Sequence, residues 1–100
     1  MIKTGAHRVS PQDVEEVIQE MPGVAAVAVV PQPDAVLGET IRAVVVPAEG
    51  AALTDLRVKA WCRERLAPHK IPKTVDFVAE LPRTASGKVR RHQLVPGGTA

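Results

Sequence analysis

Lys88 is the side chain in this sequence best placed to do chemistry. It stands in Leu81-Pro82-Arg83-Thr84-Ala85-Ser86-Gly87-Lys88-Val89-Arg90-Arg91, a run of small, turn-forming residues with basic residues on both sides. Ser86-Gly87 favours a turn, because glycine reaches φ > 0 without steric cost and serine can bond its own backbone. A lysine carried on such a loop is a mobile point charge. It can enter a partner's cleft and meet an anion such as a phosphate or a carboxylate. Taken alone, Ser-Gly-Lys is also what a solvated basic loop looks like. A phosphate-cradling loop of the Gly-x-x-x-x-Gly-Lys-[Ser/Thr] type is excluded, since it needs glycine where Pro82 stands and a hydroxyl where Val89 stands.

Other reactive residue types carry less. His7, His69 and His92 share no metal-like spacing and no Cys/His cluster accompanies them, so no metal site is expected. Glu15, Glu16 and Glu20 read as the solvated face of a helix rather than an acid/base pair. Cys62 falls on the apolar side of a predicted helix, as a small buried residue rather than a nucleophile. No Ser-His-Asp arrangement is suggested.

Several elements must position the lysine loop. Residues 1–9 read as a small hairpin turning at Thr4-Gly5-Ala6. Ser10-Pro11-Gln12-Asp13 is a helix start, with Ser10 as N-cap, proline at the first helical position and an acid at the third. Val14, Val17, Ile18 and Met21 recur at i, i+3, i+4 and i+7, one buried face, with Glu15, Glu16, Gln19 and Glu20 opposite. Pro22-Gly23 ends that helix. Val24 to Val30 and Thr40 to Val46 are β-branched runs bounded by Pro-Gly, Pro31-Gln32-Pro33 and Pro47, which favours buried strands. Thr54 caps a second helix running through Leu66, with Leu56, Val58, Ala60, Trp61, Cys62 and Leu66 as a broad apolar side. Pro68 and Pro72 bracket a rigid connector, and Val75 to Val78 is a third core strand. Val89 to Leu94 is expected to form one helical turn, and residues 95–100 a disordered tail. The order β-hairpin, α, β, β, α, β predicts an α+β fold: a small three-stranded sheet flanked by helices, plus an N-terminal β-hairpin.

One hundred residues make one domain of ordinary size. Such a chain buries roughly two-thirds of its unfolded surface, enough for a single core. Trp61 and Phe77 are the only aromatics among Phe, Tyr and Trp, so aliphatic residues must fill that core. Thirteen basic against eleven acidic residues leave a net charge of +2, too little to imply nucleic acid. The basic residues cluster late, in Lys70, Lys73, Arg83, Lys88, Arg90 and Arg91, so the charge is local. A single cysteine, Cys62, permits no internal disulfide and fits a reducing compartment. No apolar run approaches the ~20 residues that span a bilayer, and the start lacks a signal-peptide pattern. The expected location is cytoplasmic.

Residues 82–91 meet, position by position, the pattern Pro-[Arg/Lys]-Thr-x-Ser-Gly-Lys-[hydrophobic]-x-Arg. This resembles the C-terminal catalytic-lysine motif of the adenylate-forming superfamily, which includes acyl-CoA and aryl-CoA synthetases, adenylation domains and luciferases. Three further stretches resemble that superfamily's landmarks in the same order. They are Met1 to Glu15 (the opening hairpin and helix), Pro33-Asp34 with Gly38-Glu39, and Leu66-Ala67-Pro68-His69-Lys70-Ile71-Pro72. The resemblance spans residues 1–94, which reads as an AMP-binding enzyme C-terminal domain, and its wording favours the acyl- and aryl-CoA synthetase branch.

The resemblance implies a role for Lys88 in adenylation, with Thr84, Ser86 and Gly87 forming its loop. Substrate carboxylate attacks the α-phosphate of ATP and expels pyrophosphate, and an ammonium between the two anions cancels their repulsion and orients attack. Lysines at this position are also acetylation targets in the family, and acetylation would remove the charge. The resemblance further implies that the domain rotates after adenylation and presents its hairpin to the active site. Gly5 and Ala6 would then line the channel for the phosphopantetheine thiol, where a side chain obstructs close approach. The family's next glycine is Ala6 here, which leaves CoA or a phosphopantetheine carrier open as the acceptor. Arg8 is assigned to phosphate or interdomain contact, with a plain surface arginine as the other reading. ATP with Mg²⁺ and CoA belong to the full enzyme and are expected to be held mainly by an N-terminal adenylation domain.

That larger domain is not in this sequence, and the chain opens just past the family's hinge position. The expectation is a fragment or split subunit that folds alone without catalysing. A stand-alone binding or regulatory module of the same fold is the alternative. A nucleic-acid-binding protein built on the basic cluster is disfavoured by the lack of stacking aromatics near Lys88.

Overall fold

The computed structural model describes residues 1–82. Lys88, its loop residues Thr84, Ser86 and Gly87, the expected turn at Val89 to Leu94 and the expected tail lie outside the described residues. Strands β1 (Ile2–Thr4) and β2 (His7–Val9) form the hairpin, and helix α1 (Pro11–Gln19) follows. Strands β3 (Val24–Asp34) and β4 (Gly38–Pro47) make a long hairpin. Helix α2 (Asp55–Arg63), a single 3₁₀ turn (Pro68–Lys70) and strand β5 (Thr74–Phe77) complete the described chain.

The strands form one sheet rather than a three-stranded sheet with a separate hairpin. Its order is β2-β1-β4-β3, and β5 also pairs with β4. Because β3 takes one edge of β4 along its whole length, β1 and β5 share the other. β1 joins antiparallel at Gly38, whereas β5 joins in parallel at Arg42 to Val45 after the crossover through α2. The α+β class stands, and the hairpin is part of the sheet.

Alternation along β3 and β4 splits the core in two. Val29, Ile41, Ala43 and Val45 face the helices, where Val14, Ile18, Val58 and Cys62 meet them. Ala28, Val30 and Val44 face the other way and pack with Leu81 and Val78. A strand buried on both faces has no polar alternation, which is why both segments read as continuous apolar runs. Each fully buried valine contributes on the order of 1.5–3 kcal/mol relative to its exposed state.

Prolines 31 and 33 do not end β3, contrary to the sequence expectation. Register pairs Val29 with Ala43, Pro31 with Ile41 and Pro33 with Glu39, so all three residues turn the same way. Val29 points its N–H to the free edge and donates it to a Glu15 carboxylate oxygen at 2.7 Å. The two prolines therefore lack a donor only where none is needed, the position an edge strand tolerates. Gln19 adds its side-chain amide to the Val24 and Ala25 carbonyls, at 3.5 and 3.3 Å. Helix α1 thus blunts an edge that would otherwise invite pairing with another chain, and Glu15 does more than fill a solvated face.

The helices differ from expectation in detail. Ser10 occupies the cap position of α1, but its hydroxyl makes no cap bond; its carbonyl accepts the Asp13 N–H at 3.2 Å. Thr54 caps α2 as expected, its hydroxyl accepting the Arg57 N–H at 3.2 Å. The apolar side of α2 is narrower than predicted: Val58 and Cys62 are buried, whereas Leu56 and Ala60 are exposed. Trp61 instead ties α2 to α1, its indole N–H donating to the Val17 carbonyl at 2.7 Å while the Arg65 guanidinium lies 3.3 Å over its ring.

Candidate functional site

The landmark segments of the described chain converge at one end of the sheet. Gly5, at the tip of the β1–β2 hairpin, has φ 61°, a conformation that glycine alone adopts freely. Its N–H donates to the Leu37 carbonyl at 3.0 Å, joining this turn to the β3–β4 turn. A Cβ at Gly5 would meet Leu37 Cδ2 at 3.4 Å, ordinary contact, so backbone angle rather than space requires glycine there. Two residues earlier, on β1, the Lys3 N–H donates to Glu39 Oε1 at 3.0 Å.

Asp34 builds the second turn. Its Oδ1 accepts the N–H groups of Val36 and Leu37 at 2.9 and 2.8 Å, an Asx turn, and Lys73 Nζ lies 3.3 Å from Oδ2. The two backbone donors, then Lys73, hold the Asp34 carboxyl below the usual aspartate range. The Pro68–Lys70 turn closes the third side. Here the His69 ring stacks on His7, with centroids 4.0 Å apart and planes 13° from parallel. Partial desolvation lowers the His69 pKa, and the positive charges of His7 and Lys70 lower it further.

Between these turns opens a cleft of about 510 Å³. Leu37, Ile41, Pro68 and Ile71 supply apolar walls, and His7, His69 and Lys73 give it a polar, basic rim. Such a cleft offers apolar contact beside a basic rim that favours an anionic group.

Among the sequence-predicted residues, the structure brings Gly5 and Ala6 to this cleft. Arg8 is exposed on β2 opposite Lys3 and is not part of the cleft lining. Sequence reasoning missed the partnership of His7 and His69, because it tested the histidines only for metal-ligand spacing. Leu37 and Lys73 were also missed, although Leu37 adjoins the Pro33-Asp34…Gly38-Glu39 landmark and Lys73 belongs to the late basic cluster. Among the described residues, no three His, Cys, Asp or Glu side chains gather as a metal cluster would. Cys62 is buried on α2, where desolvation pushes its thiol pKa up to about 11, Arg65 opposing, which keeps it protonated and unreactive near neutrality. No helix among the described residues is long and apolar enough to cross a membrane.

Residues 13–88 match the AMP-binding enzyme C-terminal domain. The chain belongs to that family. As an AMP-binding C-terminal domain it resembles pieces of larger ligases. It is 43% identical over 94 residues to a feruloyl-CoA synthase from an Amycolatopsis species, covering 94% of this chain and 19% of that protein. The crystal structure of a Brucella canis acyl-CoA synthetase matches with TM-score 0.91 and 35% identity, over 97% of this chain and 18% of the other. ATP-bound MatB from Rhodopseudomonas palustris matches with TM-score 0.88 and 41% identity, over 91% of this chain and 18% of the other. The chain therefore spans under a fifth of the length of these relatives.

Proposed function

We propose that residues 1–94 are the mobile C-terminal domain of an AMP-forming acyl-CoA synthetase, acting with an N-terminal adenylation domain on the same or a separate chain. The observation that carries this reading is the Gly5 turn. A positive-φ glycine stands at the mouth of an open cleft, in a chain of the AMP-binding C-terminal family.

In this reading Lys88 serves the first half-reaction. An acyl carboxylate and the α-phosphate of ATP repel each other, and the Lys88 ammonium placed between them offsets that repulsion as the acyl-adenylate forms and pyrophosphate leaves. The Thr4–His7 turn serves the second. The domain rotates, and the Gly5–Ala6 backbone lines the path by which the thiol of CoA, or of a phosphopantetheine carrier, reaches the adenylate. The thiol sulfur bonds to the acyl carbon, AMP departs with the electron pair of the broken C–O bond, and the thiol proton passes to solvent. Arg8, exposed beside this turn, is available to a phosphate or to the partner domain. ATP and its Mg²⁺ are held by the N-terminal domain, and this chain contributes charge and backbone rather than metal ligands.

The test is reconstitution with a matching N-terminal domain, followed by ATP–pyrophosphate exchange. Exchange that rises at least about tenfold on adding this chain supports the reading. Exchange indifferent to the chain would favour a module that binds without catalysing.

A further inference from the structure

We propose that His7 and His69 form a proton-operated latch between the β1–β2 turn and the Pro68–Lys70 turn, closed while at most one imidazole is charged and opened when both are. The stack is a contact between segments 62 positions apart in the sequence, and it joins β2 to the 3₁₀ turn across the cleft. Nearly parallel rings at 4.0 Å attract when one or neither carries a proton. Two imidazolium rings at that distance repel, because each presents its charge to the other's face.

The surroundings do not neutralise that second proton. The charges acting on His69 are those of His7 and Lys70, both positive. Lys73 lines the same cleft and is paired with Asp34. The Asp34 carboxylate is already taken by two backbone N–H groups and Lys73, and Glu39 bonds the Lys3 N–H. A carboxylate stacked against the pair would have stabilised the doubly charged state, and among the described residues the charges that act on His69 include none of that sign. The sign follows from this: the His69 pKa lies below that of the free side chain, so the closed contact is fully present above the ordinary histidine range. It is lost as pH falls through the lowered value.

Opening would free the Thr4–His7 turn from its support on Pro68–Lys70, while the Gly5–Leu37 hydrogen bond and the pairing of Thr4 with Gly38 would still hold it to the β3–β4 turn. Any effect on thiol entry rests on the function proposed above; the latch itself rests on geometry.

A pH titration of the chain by NMR, from about 8 to about 4.5, tests the latch through the imidazole and Gly5 amide signals. Ring-to-ring Overhauser contacts are expected at the upper end and should vanish at the His69 midpoint, with the Gly5 amide shifting at the same pH. In His7→Phe, which keeps an aromatic partner but no second charge, the His69 midpoint should move upward. The Gly5 amide should then lose its pH dependence, as it should in His69→Phe. Ring contacts that survive at low pH, or a His69 midpoint unmoved by His7→Phe, would overturn the latch. Because these readouts need no ligase activity, failure of the latch is distinct from failure of pyrophosphate exchange.

Discussion

The Gly5 N–H donates to the Leu37 carbonyl at 3.0 Å, and with the pairing of Thr4 to Gly38 and the Lys3–Glu39 bond it fixes the tip of the first hairpin to the tip of the second. Two motif segments more than thirty residues apart in sequence thereby become one wall of the cleft. Gly5 makes its bond to Leu37 at φ 61°, a conformation that any side chain would strain.

Gly5→Ala is expected to cost roughly 1–2 kcal/mol in chemical denaturation, the strain of a non-glycine residue in the left-handed region. Gly50 makes the control: its φ is 79°, a Cβ there meets nothing within 4 Å, and it lies away from the cleft. Gly50→Ala should lose comparable stability, whereas thioester formation by the reconstituted enzyme should fall only with Gly5→Ala. Equal falls in both variants would assign the effect to stability alone.

Glu15→Ala removes the acceptor for the Val29 N–H at the free edge of β3. A loss of about 1.5–3 kcal/mol is expected, the scale of a hydrogen bond to a charged group. The uncovered edge should also increase self-association in sedimentation measurements at rising concentration. Unchanged stability together with unchanged association would show that Glu15 does not guard the edge.

Trp61→Phe keeps the ring and deletes the indole N–H bonded to Val17. About 1 kcal/mol of stability should be lost, and Arg65→Ala should lose about 0.5–1 kcal/mol through the cation–π contact. Circular dichroism melts measure both. Since Trp61 is the sole tryptophan, its emission in the Arg65 variant reports directly on the docking of α2 against α1.

Asp34 predicts an acid limb to stability. Its pKa lies below the unfolded value because Leu37 and Val36 donate to it and Lys73 pairs with it. Its stabilisation is therefore complete above the ordinary aspartate pKa and disappears as pH falls through the lowered value. Asp34→Asn should be less stable than the parent at neutral pH and should narrow the gap as pH drops below about 4. Parallel melting curves for the two across that range would contradict the turn's electrostatic role.

Much of this fold was legible because its signals are local. The i, i+3, i+4 pattern of Val14, Val17 and Ile18 and the Thr54 cap need only their neighbours; the structure keeps the cap and the helix, burying Val14 and Ile18 and leaving Val17 half-buried. Pro31 and Pro33 misled because a proline's effect depends on which way its nitrogen faces, and that is set by pairing with β4. Leu56 and Ala60 misled because apolar composition around a helix does not say which arc meets the sheet. The cleft was half legible: Gly5 and Ala6 were found from a motif. The His7–His69 stack and the Lys73–Asp34 pair join residues 62 and 39 positions apart, and such adjacency exists only after folding. The role of Lys88 rests on its motif, and it lies outside the described residues.

The most direct test of the central claim separates the two half-reactions in a reconstituted enzyme carrying Lys88→Ala. ATP–pyrophosphate exchange should fall by at least about a hundredfold, the scale of removing one charge-stabilising group. Thioester formation from a supplied acyl-adenylate should fall far less. Exchange at the parental rate, or equal losses in both steps, would contradict a lysine that serves adenylation alone.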